Sequence, residues 1–343
     1  MPKTITKANF MTNRSTAVAI AFLVLCTILL STSALDKAEA KSMDSDSAPN
    51  QRYGVNANLS DVKIFPNTSA WNEDISKSEV SPDSDTYIKS LGINTHVHPD
   101  FGTVWNKQPW GIPYVVVPGS QRRLPVKFGY SSESDPGPYP IPINPPIEGG
   151  PNSTQDRHVL IVDRDNEKLY ELFNVFPPDI SHPVWRADSG AIFDLRKSVL
   201  RQEGFTSADA AGLPILPGLV RFDEVCEQKE IRHALRFTAS RTRRAYISPA
   251  RHFASLITDK TVPPMGLRVR LKSSFDISGF PPSAQVILKA LKKYGMFLAD
   301  NGKDWFISGA PDERWNDAAI HSLAAVTGKD FEVVSTFPAS DEH

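Results

Sequence analysis

Two strand-like segments joined by a short turn constrain the fold most strongly. Residues 158–163, HVLIVD, form a near-continuous apolar run, and residues 168–173, KLYELF, alternate apolar and polar side chains. Asp165 and Asn166 lie between them, and both residue types favour turns. The segment therefore predicts a β-hairpin within a larger sheet.

One strand face of this hairpin carries a carboxylate. Alternation places Glu171 beside Leu169 and Phe173 on an otherwise apolar face. Burying an unpaired carboxylate costs free energy. We therefore expect Glu171 to lie at a cleft or in an ion pair, with Arg157 and Arg164 as the nearby partners.

Strand-like periodicity continues to about residue 280. Residues 185–195 predict one strand, residues 231–238 a second and residues 267–275 a third. The third alternates apolar and basic side chains, which predicts one solvated face. This pattern is typical of a mainly β protein, and we predict a β-sandwich or jelly-roll-like domain.

The end of the chain departs from this pattern. Residues 282–295 predict an amphipathic helix with Ser283 as its N-cap, and Asn-Gly at 301–302 predicts the turn of a hairpin. A second helix at 317–325 and a last strand follow. Together they predict a small C-terminal αβ extension at residues 282–336. Shorter helices are predicted at residues 83–91 and 206–212.

The segment before the hairpin is rich in proline. Residues 109–151 hold 11 prolines in 43 residues. Proline lacks an amide donor, so most of this segment cannot form central strands. Prolines alternate with isoleucines at residues 139–147, which favours an extended strap across the domain's own core.

The N-terminus has the features of a targeting segment. Basic residues between positions 3 and 14 precede the apolar run 16–30, and Ala-Glu-Ala at 38–40 offers a cleavage site. The apolar run is shorter than the ~20 residues of a spanning helix. We predict a signal peptide at residues 1–40, with a membrane anchor at residues 16–34 as the alternative. Either prediction implies export, to the periplasm or outside the cell, or attachment to the membrane.

The rest of the chain divides into a linker and a domain. Residues 41–66 are polar and predict a flexible linker, and residues 67–338 predict a single β-rich globular domain. Removal of the signal peptide also removes Cys26 and leaves Cys226 as the only cysteine. No internal disulfide partner is then present, so the fold must rest on its core.

The charge composition excludes some classes of partner. The chain has 38 lysines and arginines against 39 aspartates and glutamates. This balance argues against a broad nucleic-acid-binding face and gives no attraction to anionic membranes. We therefore expect no nucleic-acid partner, and membrane contact only through an uncleaved N-terminal segment.

No established catalytic motif is present. The sequence has no Gly-x-Ser-x-Gly elbow, phosphate loop, dinucleotide fingerprint or His-Glu-x-x-His. Ionisable side chains in or next to predicted strands remain. The candidate catalytic residues are His158, Glu171, Asp194, His233, Arg236 and His252. A wider set adds Asp209, Asp223, Glu224 and Arg251. Buried histidines of β proteins are more often hydrogen-bonded core residues, so a structural role stays open.

Two chemistries suit such residues. Two carboxylates that face each other allow glycoside hydrolysis, one as acid and one as nucleophile or base. A histidine or tyrosine with an arginine allows a lyase reaction on a uronate, where the arginine neutralises the substrate carboxylate and the base removes the adjacent proton. The sequence identifies no cofactor. His96 and His98 can bind a metal from one strand edge, but a surface loop is favoured, so no metal ligand is predicted.

Long stretches of the chain resemble a family of exported bacterial proteins. They lie between about Trp71 and Phe337 and are HPDFG, GIPYVVVP, DPGPYPIP, IEGGP, DRHVLIVD, LYELF, TSADAAGLPILPGLVR, IRHALRFT, PARH, PPMGLR, FDISGF, ALKKYGM and ADNG. The resemblance implies a location in the bacterial cell envelope or outside the cell. It brings no activity, and no catalytic residue carries over from it.

Three functions are compatible with this sequence. The first is action on polysaccharide, as a glycoside hydrolase or polysaccharide lyase, which rests on analogy with exported jelly rolls. The second is non-catalytic carbohydrate or surface binding, and the third is a structural role in the envelope. A cleft with two carboxylates, or a histidine–arginine pair with a shifted pKa, favours the enzyme. An exposed aromatic face that includes Trp105 and Trp110 favours binding.

Overall fold

The computed structural model describes residues 52–335. The predicted signal peptide and the first part of the predicted linker lie outside the described residues. Residues 52–66 of that linker contain a short strand and bury Leu59 and Phe65, which are 2% and 5% exposed. Ordered structure therefore begins before the predicted domain boundary at residue 67.

Strands make up most of the regular structure in the described residues. In chain order they are β1 (Gly54–Val55), β2 (His98–Asp100), β3 (Val104–Trp105), β4 (Gln108–Pro109), β5 (Tyr114–Val117), β6 (Val126–Phe128), β7 (Val159–Asp163), β8 (Lys168–Phe173), β9 (Trp185–Ala187), β10 (Ser189–Asp194), β11 (Leu235–Ala239), β12 (Arg268–Leu271), β13 (Met296–Asn301), β14 (Phe306–Ser308) and β15 (Phe331–Val333). The α-helices are α1 (Ser84–Leu91), α2 (Pro282–Lys293) and α3 (Asp317–His321). A π-helical turn covers Asp223–Gln228, and 3₁₀ turns cover Ser131–Glu133, Leu216–Gly218, Ser322–Ala325 and Gly328–Asp330. The prediction of a mainly β protein is confirmed.

Two large sheets contain most of the strands. One has five strands in the order β1-β5-β7-β8-β10, and the other has six in the order β15-β12-β13-β11-β14-β2. Two small sheets, β3-β4 and β6-β9, lie outside them. The main apolar cluster joins residues of both large sheets, among them Leu160 on β7 and Leu235 on β11. Ile161, the next residue of β7, belongs to a second cluster with Tyr139. Both faces of β7 are therefore covered, which explains its continuous apolar sequence.

The predicted hairpin is confirmed. β7 and β8 pair antiparallel, with Leu160 opposite Glu171. β8 also pairs with β10, where Glu171 lies opposite Ala191. Glu171 is therefore on an inner strand of the five-stranded sheet, paired on both sides.

Two predictions about strand pairing are wrong. Residues 185–195 form two strands that join different sheets, because β9 pairs with β6 whereas β10 pairs with β8. The Asn-Gly turn at 301–302 does not close a hairpin. β13 runs parallel to β11 and β14 runs antiparallel to it, so β11 lies between them.

Two local predictions also fail. Residues 206–212 form turns rather than a helix. The alternation at 267–275 does not give a wet face, because Arg268 and Arg270 are 2% and 9% exposed. Arg268 donates to the carbonyl of Tyr294, and Arg270 forms an ion pair with Glu332. Hydrogen bonding of both guanidinium groups allows this burial.

The predicted helices near the two ends of the described region are confirmed, at α1, at α2 and at α3 with its following 3₁₀ turn. Pro281, rather than the predicted Ser283, is the N-cap of α2. Strands β13, β14 and β15, all from the predicted C-terminal extension, belong to the six-stranded sheet. Within residues 52–335, no helix has the length and apolar character needed to cross a membrane.

Candidate active site

Arg236 on β11 is the centre of a buried group of charged side chains. It is 2% exposed, its Nη2 lies 2.9 Å from Asp209 Oδ1, and its Nε lies 3.2 Å from Asp209 Oδ2. Its Nη1 donates to the hydroxyl of Ser308 at 2.5 Å. Other ionisable side chains lie near Arg236, and the charge of each one shifts the pKa values of others in the group. We call the whole group the Arg236 cluster, and its members are Glu148, His158, Glu171, Asp209, Arg236 and Asp300.

A loop at residues 206–216 presents Asp209 to this cluster. The Ser207 hydroxyl accepts the backbone N–H of Asp209 at 2.9 Å. The N–H of Ala211 donates to the carbonyl of Ala299 on β13 at 3.0 Å. Side-chain and cross-sheet hydrogen bonds thus satisfy the backbone groups that a helix would otherwise use, which explains why the predicted helix does not form.

Glu171, on β8 of the five-stranded sheet, forms hydrogen bonds to the same loop. Its carboxylate is fully buried and accepts the N–H groups of Ile215 at 2.8 Å and Leu216 at 2.9 Å. Burial raises the pKa of Glu171 to about 7, although these two N–H groups favour its charged form. The arginines expected as partners bond elsewhere: Arg157 donates to backbone carbonyls and Arg164 pairs with an exposed aspartate. Glu171 therefore positions the loop and does not face a cleft.

His158 forms an ion pair with Glu148. Its Nδ1 lies 2.6 Å from Glu148 Oε2, and its Nε2 lies 3.0 Å from the carbonyl of Ala208. Both neighbours are acceptors, so the ring is best satisfied when both nitrogens carry protons. Burial opposes this charge, but the Glu148 carboxylate outweighs it and raises the pKa of His158 to about 9. The same contact lowers the pKa of Glu148 against the effect of burial.

A β-bulge brings Asp300 to the cluster. The register between β11 and β13 shifts before Thr238, so that Thr238 pairs with Asp300. Without the extra residue, Ala299, Asp300 would lie opposite Ala239 and point to the other face of the sheet. The bulge places the Asp300 carboxyl 3.9 Å from Nη2 of Arg236.

Asp300 and Asp209 share this environment as neighbouring carboxyl groups. Burial, together with the charge of Asp209, raises the pKa of Asp300 to about 8. Burial also raises the pKa of Asp209, although Arg236 favours its charged form. The pair therefore keeps one proton near neutral pH. The side chain of Asp300 is 26% exposed and that of Asp209 is 0% exposed, so only Asp300 can deliver this proton outward.

The cluster opens to solvent at two carboxyl groups. Glu148 is 23% exposed and Asp300 is 26% exposed, whereas Arg236 and His158 are buried. Glu148 is ionised because its pKa is lowered, and Asp300 is protonated near pH 7 because its pKa is raised. Two carboxyl groups whose environments drive their pKa values apart are suited to act as base and acid.

A metal does not suit the histidine end of the cluster. Ligand atoms of Glu148, Asp156 and His158 lie within 4.8 Å of one another, a spacing that a metal ion can bridge. However, both nitrogens of His158 already face hydrogen-bond acceptors, and a metal ligand needs a free lone pair. The arrangement is that of an imidazolium–carboxylate ion pair.

Two of the predicted site residues lie outside the cluster. His252 donates from Nδ1 to the carbonyl of Ala210 at 2.7 Å, so it supports the loop that carries Asp209. Asp194 lies at the end of β10 and pairs with Arg196 and Lys168. The hydrogen bond from Arg196 contributes most to lowering the pKa of Asp194. Asp194 is therefore a partly buried ion-pair residue outside the Arg236 cluster.

His233 belongs to a second buried group, the Arg221 cluster, whose members are Arg221, Asp223, Glu224 and His233. The Glu224 carboxylate lies 2.7 Å from Arg221 Nη2 and 3.0 Å from His233 Nε2. Asp223 Oδ1 is 3.5 Å from Arg221 Nε and forms no hydrogen bond with it. The four side chains are 4% to 9% exposed, so this cluster is closed to solvent.

The two solvent-facing carboxyl groups were not among the predicted catalytic residues. Glu148 lies in the proline-rich strap, where no periodicity orients a side chain. Asp300 lies on a strand whose bulge reverses the face expected from alternation. The one available signal was the Glu-Gly-Gly sequence at 148–150, since glycines mark a close turn beside the glutamate.

The structure brings together three of the six predicted catalytic residues, His158, Glu171 and Arg236, and separates Asp194, His233 and His252 from them. Glu148, Asp209 and Asp300 complete the group. No protein-family model, curated protein or solved structure matches the chain.

Proposed function

We propose that the protein is an exported hydrolase that cleaves a glycosidic bond of a polysaccharide, with Asp300 as the acid and Glu148 as the base. One observation carries this proposal. The two carboxyl groups through which the Arg236 cluster meets solvent have pKa values shifted in opposite directions. The residue types and their protonation at neutral pH are those that glycoside hydrolysis needs.

Each carboxyl group has a defined part in the reaction. Protonated Asp300 donates its proton to the glycosidic oxygen as the bond between that oxygen and the anomeric carbon breaks. Ionised Glu148 takes a proton from the water whose oxygen attacks the anomeric carbon. Asp209 and Arg236 are positioning residues: the Asp209 charge keeps the proton on Asp300, and Arg236 fixes Asp209. Proton exchange with solvent resets both carboxyl groups.

The alternative lyase chemistry has less support. It requires an arginine that neutralises the carboxylate of a uronate substrate. Arg236 directs Nε and Nη2 at Asp209 and Nη1 at Ser308, and its side chain is buried away from any substrate in solvent. The cluster thus favours hydrolysis over elimination.

We also propose that the two large sheets form a β-sandwich and that the protein is exported. An apolar cluster that contains residues of both large sheets supports a β-sandwich-like packing of the two. The basic, apolar and small-residue order of the first 40 residues supports export. Export places the protein where bacterial polysaccharides occur.

A polysaccharide screen tests the proposed function. Wild type, Asp300→Asn and Glu148→Gln are incubated with a panel of polysaccharides, and new reducing ends and unsaturated products are both measured. Asp194→Asn is the matched control, because it removes a partly buried carboxylate from an ion pair outside the Arg236 cluster. We expect reducing ends without unsaturated products, and a loss of at least about 100-fold in both site variants. Unsaturated products, or full activity in Asp300→Asn, would contradict the assignment.

A further inference from the structure

A row of aromatic rings lies at the edge of the six-stranded sheet, with three partly buried rings and one exposed ring at its outer end. We call it the aromatic surface, and its members are His98, Trp105, Trp110 and Phe306. His98 stacks on Phe306 with ring centroids 4.0 Å apart. Trp110 lies 5.9 Å from His98 and 5.7 Å from Trp105. Trp105 at the outer end is 63% exposed.

Strand register explains why these rings meet. β2 is the edge strand and runs parallel to β14, with His98 paired to Phe306. The short β3-β4 hairpin follows β2 and carries Trp105 at its tip. The indole Nε1 of Trp110 donates to Asp100 Oδ1 at 3.0 Å, which fixes this ring against the sheet. The His-x-His pair of the sequence thus supplies one ring of the row, while His96 bonds to the carbonyl of Ala324.

His98 and Phe306 of the aromatic surface lie on the same face of the six-stranded sheet as Asp300. Phe306 pairs with Thr238 on β11, and Thr238 pairs with Asp300 on β13. Paired residues of neighbouring strands project to the same face. Two strand spacings therefore separate Phe306 from Asp300, a distance of about 10 Å. The row of rings leads across the sheet towards the proton donor.

The polar groups among the rings indicate the class of ligand. Asp100 uses only Oδ1 to accept from Trp110, and its Oδ2 has no hydrogen-bond partner among residues 52–335. Burial lowers the pKa of His98, so its stacked ring is neutral. The exposed indole of Trp105 and the unpaired Oδ2 acceptor of Asp100 match a sugar ring, which has an apolar C–H face and a rim of hydroxyl groups.

We propose that the aromatic surface binds a polysaccharide chain by stacking its sugar rings and directs that chain towards Asp300. That the chain is directed towards Asp300 rests on the proposed function, whereas the binding of the chain to the aromatic surface does not. A membrane surface fits less well, because insertion of Trp105 and Trp110 would take the Asp100 carboxylate into an apolar layer. A proline-rich peptide also stacks on aromatic rings and is the competing ligand that the test must separate.

Direct binding tests the inference without any need for turnover. The full chain and its variants are titrated with the polysaccharide panel and with a proline-rich peptide, by calorimetry or by affinity electrophoresis. Trp105→Ala is the main variant. Tyr130→Ala is its matched control, because Tyr130 is an aromatic residue 56% exposed elsewhere on the surface. Asp300→Asn separates binding from catalysis.

We expect Trp105→Ala to weaken polysaccharide binding by about threefold to tenfold, the effect of losing one stacked ring. Tyr130→Ala should bind like wild type, and Asp300→Asn should bind polysaccharide without cleaving it. If binding depends on Trp105 while no variant or wild type cleaves any polysaccharide, the inference stands and the proposed hydrolysis fails. Equal binding by Trp105→Ala and Tyr130→Ala, no binding to any polysaccharide, or Trp105-dependent binding of the peptide alone would overturn it.

Discussion

The Arg236 cluster and the Arg221 cluster contain the same kinds of side chain, but only one reaches solvent. Each has an arginine, a histidine and at least two carboxyl groups. In the Arg236 cluster the guanidinium is hydrogen-bonded through Nε and both Nη atoms, and two carboxyl groups are about a quarter exposed. In the Arg221 cluster every side chain is less than 10% exposed. Access to solvent, rather than residue type, separates a candidate site from a structural one.

The closed cluster has a clear structural task. Its carboxylates lie on the π-helical turn, and Asp223 Oδ2 accepts the backbone N–H of Leu59 at 3.0 Å. Glu224 joins the turn to His233, just before β11. Nε and Nη1 of Arg221 have no hydrogen-bond partner among the described residues, which costs free energy. The Arg221 cluster thus ties the N-terminal segment and the turn to the six-stranded sheet.

The largest expected difference between the two clusters is in the cleavage rate after one carboxyl group is removed from each. Asp300→Asn should lower polysaccharide cleavage by at least about 100-fold, because it removes the proton donor. Asp223→Asn should leave the rate per folded molecule within about twofold of wild type, because Asp223 does not face solvent. Rates are normalised to the folded fraction measured by circular dichroism. Equal losses in the two variants would remove the functional distinction between the clusters.

Breaking the closed cluster should have the largest effect on stability. Glu224→Ala leaves Arg221 and His233 without their shared carboxylate, and we expect a loss of about 3–5 kcal/mol in the free energy of unfolding. Glu230→Ala is the control, since Glu230 forms an exposed pair with Arg232, and it should change stability by less than about 1 kcal/mol. Urea denaturation followed by fluorescence measures both. A small loss in Glu224→Ala would show that the cluster does not hold the fold together.

The open cluster should make stability depend on pH. The folded-state pKa of His158 is about 9, above its ordinary value of 6.5, so the folded state binds this proton more tightly than the unfolded state. Its contribution is complete below about pH 6.5 and is lost as the pH rises through about 9. The loss from this group should be roughly 3 kcal/mol or less.

Unfolding measured at several pH values checks this dependence. Glu148→Gln removes the carboxylate that raises the pKa of His158, so the decline between pH 6.5 and 9 should become shallower. Glu171 and Asp300 also have raised pKa values, of about 7 and about 8. Their ionisation therefore also lowers the free energy of unfolding as the pH rises. An identical decline in wild type and Glu148→Gln would show that the ion pair does not control it.

The smallest expected effect is the change in the free energy of unfolding when a ring of the aromatic surface is removed. Trp105→Ala should change the free energy of unfolding by no more than about 0.5 kcal/mol, because this ring is mostly exposed. The same variant is expected to weaken polysaccharide binding, so affinity and stability should respond independently. A loss of more than about 2 kcal/mol would show that the ring supports the fold.

Regular periodicity predicted much of the fold. The hairpin of β7 and β8 and the helix α2 were predictable because each has a clear hydrophobic period and a turn or cap at its ends. The buried arginines of β12 were not, because alternation with basic residues normally marks a solvated face. Only tertiary contacts, such as the Tyr294 carbonyl and Glu332, make their burial possible.

The site was less predictable than the fold. His158, Glu171 and Arg236 stood out as ionisable residues on predicted strands, and all three lie in the Arg236 cluster. Asp300 did not stand out, because one extra residue in β13 turns its side chain to the opposite face of the sheet. Such a bulge depends on how two strands pair, which a local sequence pattern does not show. Glu148 reaches His158 from an irregular strap, a contact that also depends on the tertiary fold.

The most direct test of the central claim is the titration of the Asp300 carboxyl group. Aspartate labelled with carbon-13 at the side-chain carboxyl is followed by NMR from pH 3 to 10, and Asp300→Asn assigns the signal. We predict that Asp300 is protonated at pH 7 and loses its proton with a pKa of about 8. A midpoint near 4, the ordinary value for an exposed aspartate, would contradict the claim that this cluster presents an acid to solvent.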